Sequence, residues 1–272
     1  MKMVRTIRGV CVFLTILLGA SAAFPNASEQ FHRAYALAVG APVTVENVNG
    51  SVSIAAWDSS YADVSAEKRT SGNSRELAKV RIEITTTDGL RMKTVAEKGN
   101  VFFSWTSPRV TVDYMVRVPR SAAVRTARTV NGDVKLRGVA GDASAYTTNG
   151  DIIVDGVARI AEAETTNGSI TVTGGAVVSE AATTNGSIRA EVSGGGAPME
   201  FSVVNGSITL SAPAGVGADV DMRTVNGNIV VPDGFTLKQG TISKNHLSGR
   251  LGSGGPAITA KTVNGSISLN TR

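Results

Sequence analysis

Thr147-Thr148-Asn149-Gly150-Asp151-Ile152 is followed 18 residues later by Thr165-Thr166-Asn167-Gly168-Ser169-Ile170, and after another 18 by Thr183-Thr184-Asn185-Gly186-Ser187-Ile188. Looser copies of the phrase surround Asn49, Asn131, Asn205, Asn226 and Asn264. From Asn131 to Asn185 the spacing is 18; the next steps are 20 and 21, and the last is 38, two steps of 19. A repeat of this length decides the architecture and has to be settled before any local pattern.

Asn and Gly enter left-handed backbone conformations at the least steric cost, so Asn-Gly between strand formers marks a turn. Each turn is followed by polar–apolar alternation, as in Ser169-Ile170-Thr171-Val172, the pattern of a half-buried strand. An antiparallel meander and a β-solenoid could both use such turns. Only the solenoid gives successive units a reason to copy one another, because equivalent residues come to lie side by side.

Aligned on the Asn, three columns are apolar throughout. Three residues past it stand Val134, Ile152, Ile170, Ile188, Ile208, Ile229 and Ile267. Five past it stand Leu136, Val154, Val172, Ala190, Leu210, Val231 and Leu269, and four before it Ala127, Ala145, Ala163, Ala181, Phe201, Met222 and Ala260. These columns favour an all-β, single-stranded, β-helix-like solenoid with coils of about 18–21 residues, small Ala facing large Ile across a narrow interior. Asn245-His246 falls midway through the longest step and suggests a degenerate coil. Eight coils at a strand spacing of ~4.8 Å make a rod roughly 35–40 Å long. Each Asn would sit over the next and could form an amide ladder.

Residues 1–23 have the form of a secretory signal: Lys2, Arg5 and Arg8, then an apolar run from Val10 to Leu18, then small residues at Ala20-Ser21-Ala22. The run is too short to span a membrane comfortably. The single cysteine, Cys11, lies inside it, so the mature chain is expected to be free of thiol and disulfide chemistry and to carry no membrane span. Of 27 basic and 22 acidic residues the signal takes three basic ones, leaving 24 against 22. With no basic run either, nucleic-acid binding has little support. Residues 24–41 form a leader, in which Glu29 to Leu37 suits a short helix or an extended lead-in.

From Pro42 to Arg125 the chain alternates strand-like segments, with one helical turn at Arg75 to Lys79, and holds most of the aromatics: Trp57, Tyr61, Phe102, Phe103, Trp105 and Tyr114. An open solenoid end exposes interior and unpaired strand edge, so this aromatic-rich region is expected to start the solenoid and cap it. Residues 126–272 are the repeat proper. No linker composition separates the two, and 42–272 is expected to be one continuous domain.

Asn47-Val48-Asn49-Gly50-Ser51-Val52, the segment from Val112 to Pro119 leading into Thr129-Val130-Asn131-Gly132-Asp133-Val134, and Leu251 to Pro256 before Thr262-Val263-Asn264-Gly265-Ser266-Ile267 together resemble the bacterial putative-adhesin domains of unknown function. The resemblance covers roughly Pro42 to Asn270 and implies an exported or envelope-associated β-solenoid. It brings no reaction and no binding residues.

The sharpest candidate site is an acidic column. Five residues before successive Asn positions stand Glu162, Glu180, Glu200 and Asp221, with mostly apolar neighbours, so these side chains should point outward on one face. On adjacent coils they would be roughly 5 Å apart, close enough to repel or to share a hard cation such as calcium. A solvated face of splayed carboxylates is the simpler reading. Asp133 and Asp151, each directly after an Asn-Gly, would also stack. They are candidates for a metal site or, by analogy with enzymes built on parallel β-helices, for attack on acidic polysaccharide. Ser169, Ser187 and Ser207 stand at the same place later, and both residue types suit turns.

Trp57, Tyr61 and Trp105 could form a sugar-stacking platform, although burial in the cap accounts for them more simply. His32 and His246 are far apart with no cysteine partner, so a metal centre or a histidine-dependent nucleophile has no support. The pattern points to a non-enzymatic, exported, periplasmic or cell-surface protein presenting a repetitive face to an envelope polymer, a protein or a second copy of itself. Polysaccharide binding or cleavage and a passive structural role are the alternatives. No cofactor is implied beyond the calcium considered above.

Overall fold

The computed structural model describes residues 27–96, 110–193, 196–232 and 237–271. Residues 1–23, expected to be a secretory signal and containing Cys11, lie outside the described residues, as do Phe102, Phe103 and Trp105.

Each repeat supplies two strands joined by its Asn-Gly turn. The strand before the turn enters one sheet, here the leading sheet, and the strand after it enters a second, the trailing sheet. In the leading sheet Asp142–Asn149 pairs in parallel with Arg159–Asn167, and that strand with Glu180–Asn185, keeping Ala145, Ala163 and Ala181 in register. In the trailing sheet Ile152–Asp155, Ile170–Val178 and Ile188–Val192 pair the same way, with Ile152, Ile170 and Ile188 as partners. Parallel pairing of equivalent residues is the β-solenoid arrangement, and a meander of hairpins is ruled out.

The three apolar columns form the core. The Ala column lines the leading sheet, the Val/Ile/Leu columns line the trailing sheet, and all are buried except Ile229 and Val231, which are half-buried. Alternation within a strand sends every second residue inward. Stacking then makes each inward position continuous, so the core runs the length of the molecule.

The coils do not stack in chain order at either end. The coil of Asn264, made of Ala257–Asn264 and Ile267–Thr271, lies between the coil of Asn205 and the coil of Asn226. At the other end the coil of Asn49, made of Pro42–Glu46 and Val52–Trp57, lies between the coil of Asn131 and an outer coil built from Leu90–Ala96 and Val110–Pro119.

Asn245-His246 does not belong to a coil. It is the turn of an antiparallel hairpin, Gly240–Ile242 with His246–Leu251, whose second strand runs antiparallel along Ala218–Asn226. This stretch has no Asn-Gly and no inward Ala and Ile at coil spacing. As a hairpin it instead covers the backbone edge of the outermost leading strand.

At the N-terminal end Tyr61–Thr70 runs antiparallel on Val110–Pro119, and Ala27–Ala36 runs antiparallel on Tyr61–Thr70. Val80–Thr85 covers the edge of Leu90–Ala96 in the other sheet. The leader is thus an extended strand from Ala27 onward and not a helix, while the expected helical turn is present at Arg75–Ala78. Among the described aromatics of the cap Tyr114 alone is fully buried, with its hydroxyl 2.8 Å from Thr94 Oγ1, which donates to Asn47 Oδ1 at 2.9 Å.

Candidate binding face

Each position of the repeated phrase has a separate structural task. The Asn side chains form an unbroken ladder: Asn131 donates to Asn49, Asn149 to Asn131, Asn167 to Asn149, Asn185 to Asn167 and Asn205 to Asn185, Nδ2 to Oδ1 at 2.7–2.9 Å. Asn264 then donates to Asn205, and Asn226 to Asn264, each at 2.8 Å. All eight turn residues expected from the sequence are rungs of it, with Asn226 last in space.

The Gly after each Asn sits where the neighbouring coil leaves no room for a Cβ. A Cβ on Gly168 would lie 1.9 Å from the Gly150 carbonyl oxygen, and one on Gly186 1.9 Å from that of Gly168. The Thr two residues before the Asn is buried, and its hydroxyl donates to the Gly carbonyl one coil below. Thr147 reaches Gly132 at 2.8 Å, Thr165 reaches Gly150 at 3.0 Å and Thr183 reaches Gly168 at 2.9 Å.

Asp133 and Asp151 belong to this turn machinery. Asp133 Oδ1 accepts the Asp151 backbone N–H at 3.0 Å, and Asp151 Oδ1 accepts that of Ser169 at 2.8 Å. Ser169 and Ser187 do the same for the next coils, at 3.2 and 3.3 Å. Asp133 Oδ2 lies 3.5 Å from Lys135. The two carboxylates stack as expected, and each spends an oxygen on the backbone. Among the described residues no three His, Cys, Asp or Glu side chains are grouped to hold a metal ion.

The acidic column is real over three coils on the outer surface of the leading sheet. Glu180 and Glu200 are register partners, and Glu162 directly precedes Ala163, the partner of Ala181. Asp221 departs from the expectation: Thr259 of the inserted coil is the register partner of both Glu200 and Asp221, and separates them. The carboxylates are also engaged individually. Tyr146 donates to Glu162 Oε2 at 2.5 Å, and Lys261 lies 3.1 Å from Glu200. Asp221 meets Arg223 at 3.0 Å and His246 at 3.1 Å, and the Arg223 guanidinium holds its carboxyl below the ordinary carboxylate value despite partial burial. Glu180 is exposed between its two neighbours.

A second outward column, three residues before each Asn, contributes groups that the five-before column did not reveal. Arg128 lies over the Tyr146 ring at 4.7 Å from its centroid, so Arg128, Tyr146 and Glu162 make a connected patch. Aligning that second column on the Asn would have found it. Arg137 and Asp155 are register partners on the trailing sheet, as their spacing suggests.

Trp57 and Tyr61 come together, with ring centroids 4.7 Å apart and planes at 75°. They lie on the outer surface of the cap and not in its core: Tyr61 is 41% exposed, Trp57 is half-buried, and Arg117 sits over the indole at 5.2 Å. His32 and His246 each meet an aspartate, Asp63 and Asp221, at opposite ends of the molecule. Among the described residues no helix is long and apolar enough to cross a membrane.

No curated protein matches the chain. Solved structures match it at low similarity. One from Clostridium sporogenes, described as a putative cell adhesion protein, is 9% identical with a TM-score of 0.40 and covers 90% of this chain and 100% of its own. One from Bacteroides fragilis, described as a putative adhesin, is 11% identical with a TM-score of 0.38, covering 90% and 97%. One from Parabacteroides distasonis, described as a putative lipid binding protein, is 12% identical with a TM-score of 0.37, covering 90% and 96%. The model of the Toastrack DUF4097 family matches residues 41–270, nearly the whole of the ladder-bearing solenoid and its caps, and the chain belongs to that family.

Proposed function

We propose that this chain is a non-enzymatic, exported binding scaffold of the cell envelope, which holds an extended polymer or a protein along the outer surface of its leading sheet. The observation that carries this reading is the Asn ladder, seven bonds joining eight coils. It locks outward side chains into straight rows, among them Glu162, Glu180 and Glu200 with the Arg128–Tyr146 pair beside them. Contacts repeated at the rung spacing suit a partner that is itself extended, because linked weak contacts add up. Export is supported by the basic start and apolar run of residues 1–23.

The test is a binding screen of the purified protein against envelope glycans and envelope proteins, with and without calcium, followed by cumulative substitution of Glu180→Gln, Glu162→Gln and Glu200→Gln. A scaffold loses affinity step by step. Loss of a chemical turnover through one acid, with the fold intact, would replace this reading with an enzyme. Indifference to all three substitutions would leave a passive spacer.

A further inference from the structure

We infer that the cleft beside Trp57, on the outer surface of the N-terminal cap, is a binding site for a neutral carbohydrate. The site lies apart from the acidic rows and does not rest on their role.

Trp57 closes the strand Val52–Trp57, whose Val52 and Ile54 point inward. By alternation the indole points outward, where it adds nothing to the core. Its orientation is nevertheless fixed. Nε1–H donates to the Tyr61 carbonyl at 2.9 Å, the Tyr61 ring meets it edge-to-face, and the Arg117 guanidinium lies over it. A large ring held rigid at the surface is preorganised for a ligand, since little conformational freedom is left to lose on binding.

The cleft that Trp57 lines measures about 350 Å³ and is shared with Val39, Asp58, Ser60, Pro119 and Arg120. That volume is within the ~300–1,000 Å³ of small-ligand clefts and admits a ring or two of a glycan. Val39 stands at its lip, 90% exposed. Arg120 Nε donates to Asp58 Oδ1 at 2.6 Å and its terminal nitrogen to Oδ2 at 3.4 Å, so the two groups are paired while both remain exposed.

A sugar ring has the matching chemistry. Its C–H faces carry partial positive charge and lie well on the negative face of an indole. Its hydroxyls on adjacent carbons pair with the fixed acceptors of a carboxylate and the donors of a guanidinium. A lipid chain in the same place would cover the exposed Asp58–Arg120 ion pair and take it out of water without offering it a hydrogen bond, at a cost in free energy. With Asp58 and Arg120 paired to each other, that pair adds no net charge to draw a charged ligand into the cleft.

The experiment titrates the purified protein with neutral hexose and N-acetylhexosamine oligomers, followed by tryptophan fluorescence and calorimetry. The chain has two tryptophans, so Trp105→Phe leaves Trp57 as the only reporter. A saturable fluorescence change is expected. Tyr61→Ala and Arg120→Ala should each weaken binding roughly tenfold at an unchanged melting temperature, and Trp57→Ala should abolish it. Glu180→Gln on the acidic row should leave it unaffected, which separates this site from the proposed binding face. No saturable change up to ~10 mM oligomer, equal affinity in the Tyr61 and Arg120 variants, or occupation by peptides or lipid vesicles in place of sugars would each overturn the assignment.

Discussion

Asn264 donates its side-chain amide to Asn205, 59 residues earlier in the chain, and accepts one from Asn226, 38 residues earlier, at 2.8 Å in both cases. The final coil therefore fills a slot between two coils made before it. The first Asn-bearing coil is enclosed in the same way at the other end. Neither outermost rung is a chain terminus.

The enclosed final coil should behave as interior. Ile267 and Leu269 are fully buried, and replacing either with Ala should cost about 2–5 kcal/mol, as at Ile170. Hydrogen exchange checks this independently: the Ile267 amide, bonded to Asn228 O at 3.0 Å, should be protected like mid-rod amides. Fast exchange there, as expected of a fraying end, would contradict the coil order.

The ladder predicts an effect that depends on position. Asn167→Ala removes two side-chain bonds, one given to Asn149 and one taken from Asn185, whereas Asn226→Ala removes one. At about 0.5–1.5 kcal/mol per bond, urea unfolding should show the Asn167 variant losing about twice as much. Equal losses would mean that the amides contribute individually and not as a ladder.

Glycine substitution separates backbone conformation from close approach. Gly156 has φ +60° and nothing within 4 Å of an added Cβ, so Gly156→Ala should cost only the left-handed strain of about 1–2 kcal/mol. Gly168→Ala places the Cβ 1.9 Å from the Gly150 carbonyl oxygen and must push neighbouring coils away from each other. Its thermal transition should fall far more steeply, or folded protein should be lost. Similar melting temperatures for the two variants would refute the tight stacking.

Acid should weaken the N-terminal cap through Asp113. Burial pushes its carboxyl up, but the Ser51 N–H and hydroxyl, each at 2.8 Å, and the Arg69 guanidinium together hold it below the ordinary value. A depressed carboxyl stabilises the fold above its unfolded pKa of about 3.9 and loses that contribution as pH falls through the folded value. Asp113→Asn should cost about 1–2 kcal/mol near neutral pH, with Arg69 contributing little because it is largely exposed. The difference from the unsubstituted protein should shrink below about pH 4. A gap constant with pH would show that the carboxyl is not the group involved.

Much of the candidate binding face was legible because its components recur from coil to coil at a fixed distance from the Asn. The stacking of Glu162, Glu180 and Glu200 followed from counting back from Asn167, Asn185 and Asn205. Asp221 was misplaced because the same counting assumes that coils adjacent in sequence are adjacent in space. Trp57 and Tyr61 were expected inside the cap on account of their apolar area. Strand parity carried the better signal: with Val52 and Ile54 inward, Trp57 has to face out.

The sequence by itself determined the content of a coil: an Asn-Gly turn, a strand on either side, and inward Ala and Ile. Those features depend on backbone sterics and on alternation, which act over a few residues. Only the tertiary structure decided which coil lies on which, and that residues 240–251 form a capping hairpin. The physical reason is that every Asn-bearing coil offers its neighbours nearly the same backbone edge and the same Asn rung. Local chemistry cannot rank one neighbour over another, and the order at the ends is set by how the whole chain covers its last exposed edges.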